Sequence, residues 1–166
     1  MATPPIEGDP PAPLLLTEFG EEVNARLFLR GTAVSLNGQG VLFLGPSGSG
    51  KSSCALALMA HAAQLIADDG VFLEDGGQEP HRLTRPENKP ELIEARGVGL
   101  LNSGPLSAQA PLALVVDLGQ KEAHRLPPPR QARWKSQSCR LILGQDQPIL
   151  WAYILQVLRA GIADPK

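Results

Sequence analysis

The feature that most constrains this chain is a run of eight residues, Gly45-Pro46-Ser47-Gly48-Ser49-Gly50-Lys51-Ser52, set between a strand-like segment and a helix-like one. The run satisfies G-x-x-x-x-G-K-[ST]. Its glycines let the backbone curl until successive N–H groups point into one concavity, and a helix starting at its end adds a positive pole. Lys51 is then placed to reach the β- and γ-phosphates of a nucleotide, and the Ser52 hydroxyl to join a Mg²⁺ shell. Upstream, Val41-Leu42-Phe43-Leu44 is wholly apolar, as in a strand buried on both faces. Downstream, residues 52–63 (SSCALALMAHAA) hold no Gly or Pro and are apolar nearly all round, which predicts a buried helix. A flexible Gly/Ser linker would have neither flank. The sequence therefore assigns residues 45–52 to ATP or GTP.

The rest of the chain fits around that unit. With 166 residues there is room for one core. Prolines 4, 5, 10, 11 and 13 crowd the start, so residues 1–16 read as a loose tail and 17–166 as the folded domain. Strand-like segments recur at 27–29, 32–36, 65–67, 71–73, 112–116 and 141–143. Asn37-Gly38 is a hairpin turn and Gly76-Gly77 another turn. The proline-bearing stretch 78–91 reads as a surface excursion, Pro127-Pro128-Pro129 as a stiff linker, and Ile149–Leu158 as an apolar last helix stopped by Gly161. Strand, loop, helix and strand in that order imply an α/β layer fold.

Charge excludes some partners. Fifteen Lys+Arg stand against 17 Asp+Glu, a net of −2, without the basic excess of a nucleic-acid binder. No apolar stretch is long enough to span a membrane and no secretory signal is visible, so the expectation is a cytoplasmic protein. Cys54 and Cys139 read as free thiols. His61, His81 and His124 share no metal-ligand spacing, and Trp151 and Tyr153 read as docking contacts of the last helix.

Phosphoryl chemistry needs a metal carboxylate and a base, and two positions offer them. Asp117 ends the apolar run 112–116, as in a Walker B strand. Asp68-Asp69 follows Leu65-Ile66-Ala67, 17 and 18 positions after Lys51, so one carboxylate could take a proton while the other orients or helps hold a metal. Spacing alone leaves both open.

Three segments in order resemble the HPr kinase/phosphorylase family: Gly40-Val41-Leu42 with the phosphate loop, Leu65-Ile66-Ala67-Asp68-Asp69, and Glu94-Ala95-Arg96-Gly97-Val98-Gly99. The resemblance covers about residues 26–126. It implies a P-loop kinase-domain fold shared with phosphoenolpyruvate carboxykinases, here as a short member without the usual N-terminal domain. It also implies an ATP- and Mg²⁺-dependent serine kinase acting on an HPr-like phosphocarrier of the sugar phosphotransferase system, assembled as a hexamer. Carried over, Lys51 holds the phosphates, Ser52 and Glu94 ligate Mg²⁺, and Asp69, next to Asp68, is base in phosphorylation and acid in dephosphorylation. Arg96, Gly97 and Gly99 shape the active site, and Arg125 matches a catalytic arginine.

Two departures bear on the reverse reaction. The family carries a histidine 15 positions before the first loop glycine, where this chain has Arg30. An arginine cannot shuttle a proton, and beside Asp69 it favours the carboxylate over the acid. The basic, proline-containing loop of members with full phosphorylase activity is replaced by Cys139-Arg140-Leu141-Ile142-Leu143-Gly144-Gln145-Asp146. Phosphorylase activity is expected to suffer most. The alternatives are a small-molecule kinase or other P-loop NTPase built on Asp117, and a nucleotide-binding regulator with impaired catalysis.

Overall fold

In chain order the computed structural model, which describes residues 8–163, runs β1 (Leu14–Leu15), a 3-10 helix (Leu16–Phe19), β2 (Gly20–Val23), β3 (Arg26–Leu29), β4 (Thr32–Leu36), β5 (Gln39–Leu44), α1 (Lys51–Met59), β6 (Gln64–Ala67), β7 (Val71–Glu74), β8 (Arg82–Thr84), β9 (Leu92–Ala95), β10 (Gly99–Asn102), β11 (Gln109–Asp117), β12 (Arg130–Trp134), β13 (Gln137–Leu143) and α2 (Leu150–Ala160). Eleven strands join one curled sheet in the order β1-β12-β13-β11-β8-β7-β3-β2, with β5 branching from β11, β4 from β5 and β6 from β4. β9 and β10 form a separate antiparallel hairpin.

The strand β11 makes the curl. Its first residues, Gln109–Pro111, pair antiparallel with β8, while Leu114–Asp117 run parallel between β5 and β13. Alternation along the central strands then feeds two cores. Val41, Phe43, Leu114 and Val116 pack under the helices against Ala55, Leu58, Leu150 and Ile154. Leu42, Leu44 and Val115 face the other way, into a cluster with Leu27, Leu73, Leu83 and Trp134 enclosed by the curl. Burying each such Leu or Phe contributes roughly 1.5–3 kcal/mol. The apolar run 41–44 is thus buried on both faces, as its sequence predicts.

Other expectations needed adjustment. Of the tail, residues 1–7 lie outside the described residues. Leu14–Leu15 pairs parallel with Ala132–Arg133 and Leu16 is buried, so the fold begins at Leu14, ahead of the expected boundary at 17. The excursion 78–91 contains a central strand. β8 bridges β7 and β11 with Leu83 wholly buried, and the neighbouring His81 is buried between the Gly76 N–H and the Trp134 carbonyl. Three residues flanked by prolines carry too little periodicity to reveal it. Helix α1 ends at Met59, not Ala63, because Ala62 is left-handed (φ 78°) and the Ala63 N–H closes on the Leu58 carbonyl. It is half-buried, with only Ala55 and Leu58 out of solvent. β12, whose sequence Arg130–Trp134 carries little apolar alternation, forms a hairpin with a β13 longer than expected. Helix α2 and its left-handed Gly161 stand where expected. Trp151 stacks on His61 at 5.0 Å, while Tyr153 is 48% exposed. Among the described residues no helix is long and apolar enough to cross a membrane.

Candidate nucleotide site

The site begins where β5 runs out. Asn37 and Gly38, both at positive φ, turn β4 back into β5, and β5 delivers the loop 45–50 to the first turn of α1. The helix has Gly50 at its N-cap, no side-chain cap and no acidic residue in its first turn, so its positive end is left for an anion. Gly48 sits at φ 84°, and a Cβ on it would stand 3.1 Å from the Arg96 guanidinium. Any larger residue there would push away the arginine reaching over from the β9–β10 hairpin. Lys51 Nζ donates to the Gly45 and Pro46 carbonyls at 2.7 and 3.1 Å, which holds its charge within the loop.

The loop opens on a cavity of about 570 Å³. Gly45, Pro46, Ser47, Gly48, Gly50, Lys51 and Ser52 line it, together with Asp68, Asp69, Glu94 and Arg96. Arg30, Thr32 and Ser53 complete the wall. Ser49 lies beneath the loop, its hydroxyl buried and 2.6 Å from where a Cβ on Gly45 would sit.

Asp68 is the hub. Its Oδ1 accepts from both the Ser52 and Thr32 hydroxyls at 2.8 Å, and its Oδ2 accepts from the Glu94 N–H at 3.2 Å. One carboxylate therefore ties the loop, β4 and the signature hairpin together. Sequence reasoning left Asp68 a shared role and missed Thr32, because a threonine inside a strand carries no signal of its own. Asp69, the next residue, takes a left-handed turn (φ 51°) that costs a non-glycine residue about 1–3 kcal/mol. Its N–H contacts the Thr32 hydroxyl at 3.5 Å, and the following Gly70 N–H donates to the Gly31 carbonyl at 2.8 Å. That bond sets Arg30, one residue before Gly31, along the same edge of the cavity. Lys89 lies over this turn, where burial pushes its ammonium down and Asp69, then Asp68, pull it part of the way back.

The other two candidates lie elsewhere. Asp117 is 2% exposed and spends its oxygens locally: Oδ1 accepts the Gly119 N–H at 2.8 Å and Oδ2 the Gln120 amide at 2.7 Å. It does not line the cavity. Arg125 is exposed on the segment between β11 and β12 and is not brought to the cavity either. That segment is fixed instead by Arg130 gripping Glu122 at 2.6 and 3.0 Å.

The oxygens of Ser52, Asp68 and Glu94 are hard donors suited to Mg²⁺. Among the described residues no three His, Cys, Asp or Glu side chains converge as a metal centre, so phosphate and water oxygens would complete the shell.

A strand, a glycine loop, an uncapped helix and a carboxylate bonded to the loop's last hydroxyl define a phosphate-loop nucleotide-binding domain. Comparison with known proteins narrows the class. The family model for the HPr serine kinase C-terminal domain matches residues 21–125, and the chain belongs to that family. It is 40% identical over 88 residues to the HPr kinase/phosphorylase of Caldicellulosiruptor bescii, covering 53% of this chain and 28% of that one. Against the HPr kinase/phosphorylase of Brevibacillus brevis it is 35% identical over 106 residues, 59% of this chain and 33% of that one. The chain thus spans about a third of the length of these curated relatives. The solved HPr(Ser) kinase/phosphatase of Coxiella burnetii shares the fold, with a TM-score of 0.67 at 22% identity over 80% of this chain and 93% of that one.

Proposed function

We propose that this chain is an ATP-dependent protein serine kinase acting on an HPr-like phosphocarrier, with Mg²⁺ as cofactor and with transfer to serine favoured over its reversal. The observation that carries the reading is the Ser52–Asp68–Thr32 cluster, which sets Asp69 in the same cavity as the phosphate loop. The loop amides and Lys51 bind the β- and γ-phosphates. Ser52, Asp68 and Glu94 would hold Mg²⁺, which would supply neutralisation of phosphate charge. Asp69 accepts the proton of the attacking serine hydroxyl while the new O–P bond forms and the bond to the β-phosphate oxygen breaks. Arg96, at Gly48, offsets charge on the transferring group. By family likeness the working assembly is a hexamer.

A small-molecule kinase built on Asp117 is disfavoured by the closed turn that occupies that carboxylate. The deciding experiment is incubation with γ-labelled ATP, Mg²⁺ and HPr-like phosphocarriers, followed by mapping of the labelled residue. Label on a phosphocarrier serine is expected. ATP turnover with label only on a small molecule or in free phosphate would overturn the assignment.

A further inference from the structure

The turn that carries Asp69 is held from outside by a residue the mechanism above does not use. Lys89 Nζ donates to the Asp69 carbonyl at 3.0 Å. It also comes within 3.2 Å of where a Cβ on Gly70 would stand, so the ammonium lies directly on the Asp69–Gly70 peptide. Lys89 makes no ion pair among the described residues, and its contact is with a backbone oxygen. The lysine is itself braced. Arg85 donates through Nη1 to the Ile66 carbonyl at 2.8 Å and through Nη2 to the Lys89 and Pro90 carbonyls at 2.7 and 2.8 Å. One guanidinium thereby stitches the segment 85–90 to β6, the strand that leads into Asp68 and Asp69.

We infer that Lys89 is a positioning residue for Asp69. Its ammonium locks the left-handed peptide from which Asp69 lines the phosphate-loop cavity. The physical need is plain: an aspartate at φ 51° tends to relax to a right-handed or extended conformation, and either would swing its carboxylate away. The Gly70–Gly31 bond holds the far side of the turn, and Lys89 holds the carbonyl between. A charged donor on a neutral oxygen is stronger than a neutral one, and only a long cationic side chain reaches from the 85–90 segment. The inference rests on Asp69 being the base.

The test compares Lys89→Met and Lys89→Arg in the full chain. Lys89→Met should lower kcat for phosphocarrier phosphorylation about tenfold or more, leave ATP affinity by calorimetry and KM for the phosphocarrier within about twofold, and speed hydrogen exchange at the Gly70 amide. Lys89→Arg should restore most of kcat and of the exchange protection. A Lys89→Met protein with wild-type kcat, or one whose loss is entirely in KM and is not rescued by arginine, would overturn the inference. So would unchanged exchange at Gly70. Asp69→Asn run in parallel separates the two readings. If that variant keeps its kcat, the base assignment falls, while the exchange measurement still decides whether Lys89 holds the peptide.

Discussion

Two aspartates end buried strands beside the phosphate loop, and only one of them faces the cavity. Asp117 closes β11 in register with Leu44, the residue just before the loop, and Asp68 follows β6. The difference lies in their partners. Asp117 accepts from the Gly119 N–H and the Gln120 side-chain amide, bonds that occupy both its oxygens and close a turn of four residues away from the cavity. Asp68 accepts from two hydroxyls, on Ser52 and Thr32, which can rotate and turn their lone pairs to a cation. Proximity to a phosphate loop is set by sheet topology. Whether a carboxylate is available to chemistry is set by what holds it.

The strongest way to break this comparison is to remove the loop's own charge. Lys51→Ala should weaken ATP·Mg²⁺ binding by about 100-fold or more, since Lys51 is the loop's cation on the phosphates. Calorimetry reads it directly, and unchanged affinity would dismantle the site on both sides. Next come the two aspartates. Asp68→Asn should cut phosphoryl transfer by roughly 10²–10³-fold with little change in thermal stability. Asp117→Asn should leave turnover within about threefold and cost no more than about 1 kcal/mol, because the exposed Gln120 amide can turn its oxygen to the new NH₂. Turnover and thermal denaturation of both variants settle the pair, and the reverse pattern would move the metal carboxylate to Asp117.

A smaller effect concerns direction. Arg30 stands at the cavity edge beside the Asp69 turn, and a permanent cation there opposes the protonated aspartic acid that reversal requires. Arg30→His should raise phosphoserine breakdown in added inorganic phosphate several-fold while changing forward transfer less. A wild-type protein that dephosphorylates as fast as it phosphorylates would show that the arginine does not set direction.

What the sequence made legible follows the same division between local and distant causes. The loop, the strand before it and the hairpin at Asn37-Gly38 are short-range features, each written in consecutive residues, and they stand where expected. The end of α1 does not, because Ala62 takes a left-handed conformation with no glycine to announce it. β8 was hidden for a different reason: three residues between prolines become a central strand only because β7 and β11 flank them. At the site, Ser52, Asp68, Asp69, Glu94 and Arg96 were readable as motifs, but the bonds that make Asp68 the hub run between residues 16, 26 and 36 positions apart. Thr32 and Lys89 act through such long-range contacts alone, so nothing in their own neighbourhoods marks them.

The smallest predicted effect tests the structural side of the comparison through a third carboxylate. Glu122, on the segment that follows the Asp117 turn, is held at about 2 against an ordinary 4.5, first by its bonds from Arg130 and then by those from the His124 backbone and side chain, with burial opposing. A carboxylate whose pKa is lowered by folding adds stability above its unfolded value, and that stability fades as pH falls from about 4.5 through about 2. Solvent reaches the pair through Arg130, whose side chain is 20% exposed, so the contribution is about 1 kcal/mol or less. Glu122→Gln should therefore melt a few degrees below the wild type at pH 7, and the two curves should converge as the pH nears 2. Nucleotide affinity should not move, because neither residue lines the phosphate-loop cavity. A variant that loses ATP binding along with stability would show that the segment 118–130, with Arg125 on it, is coupled to the site after all.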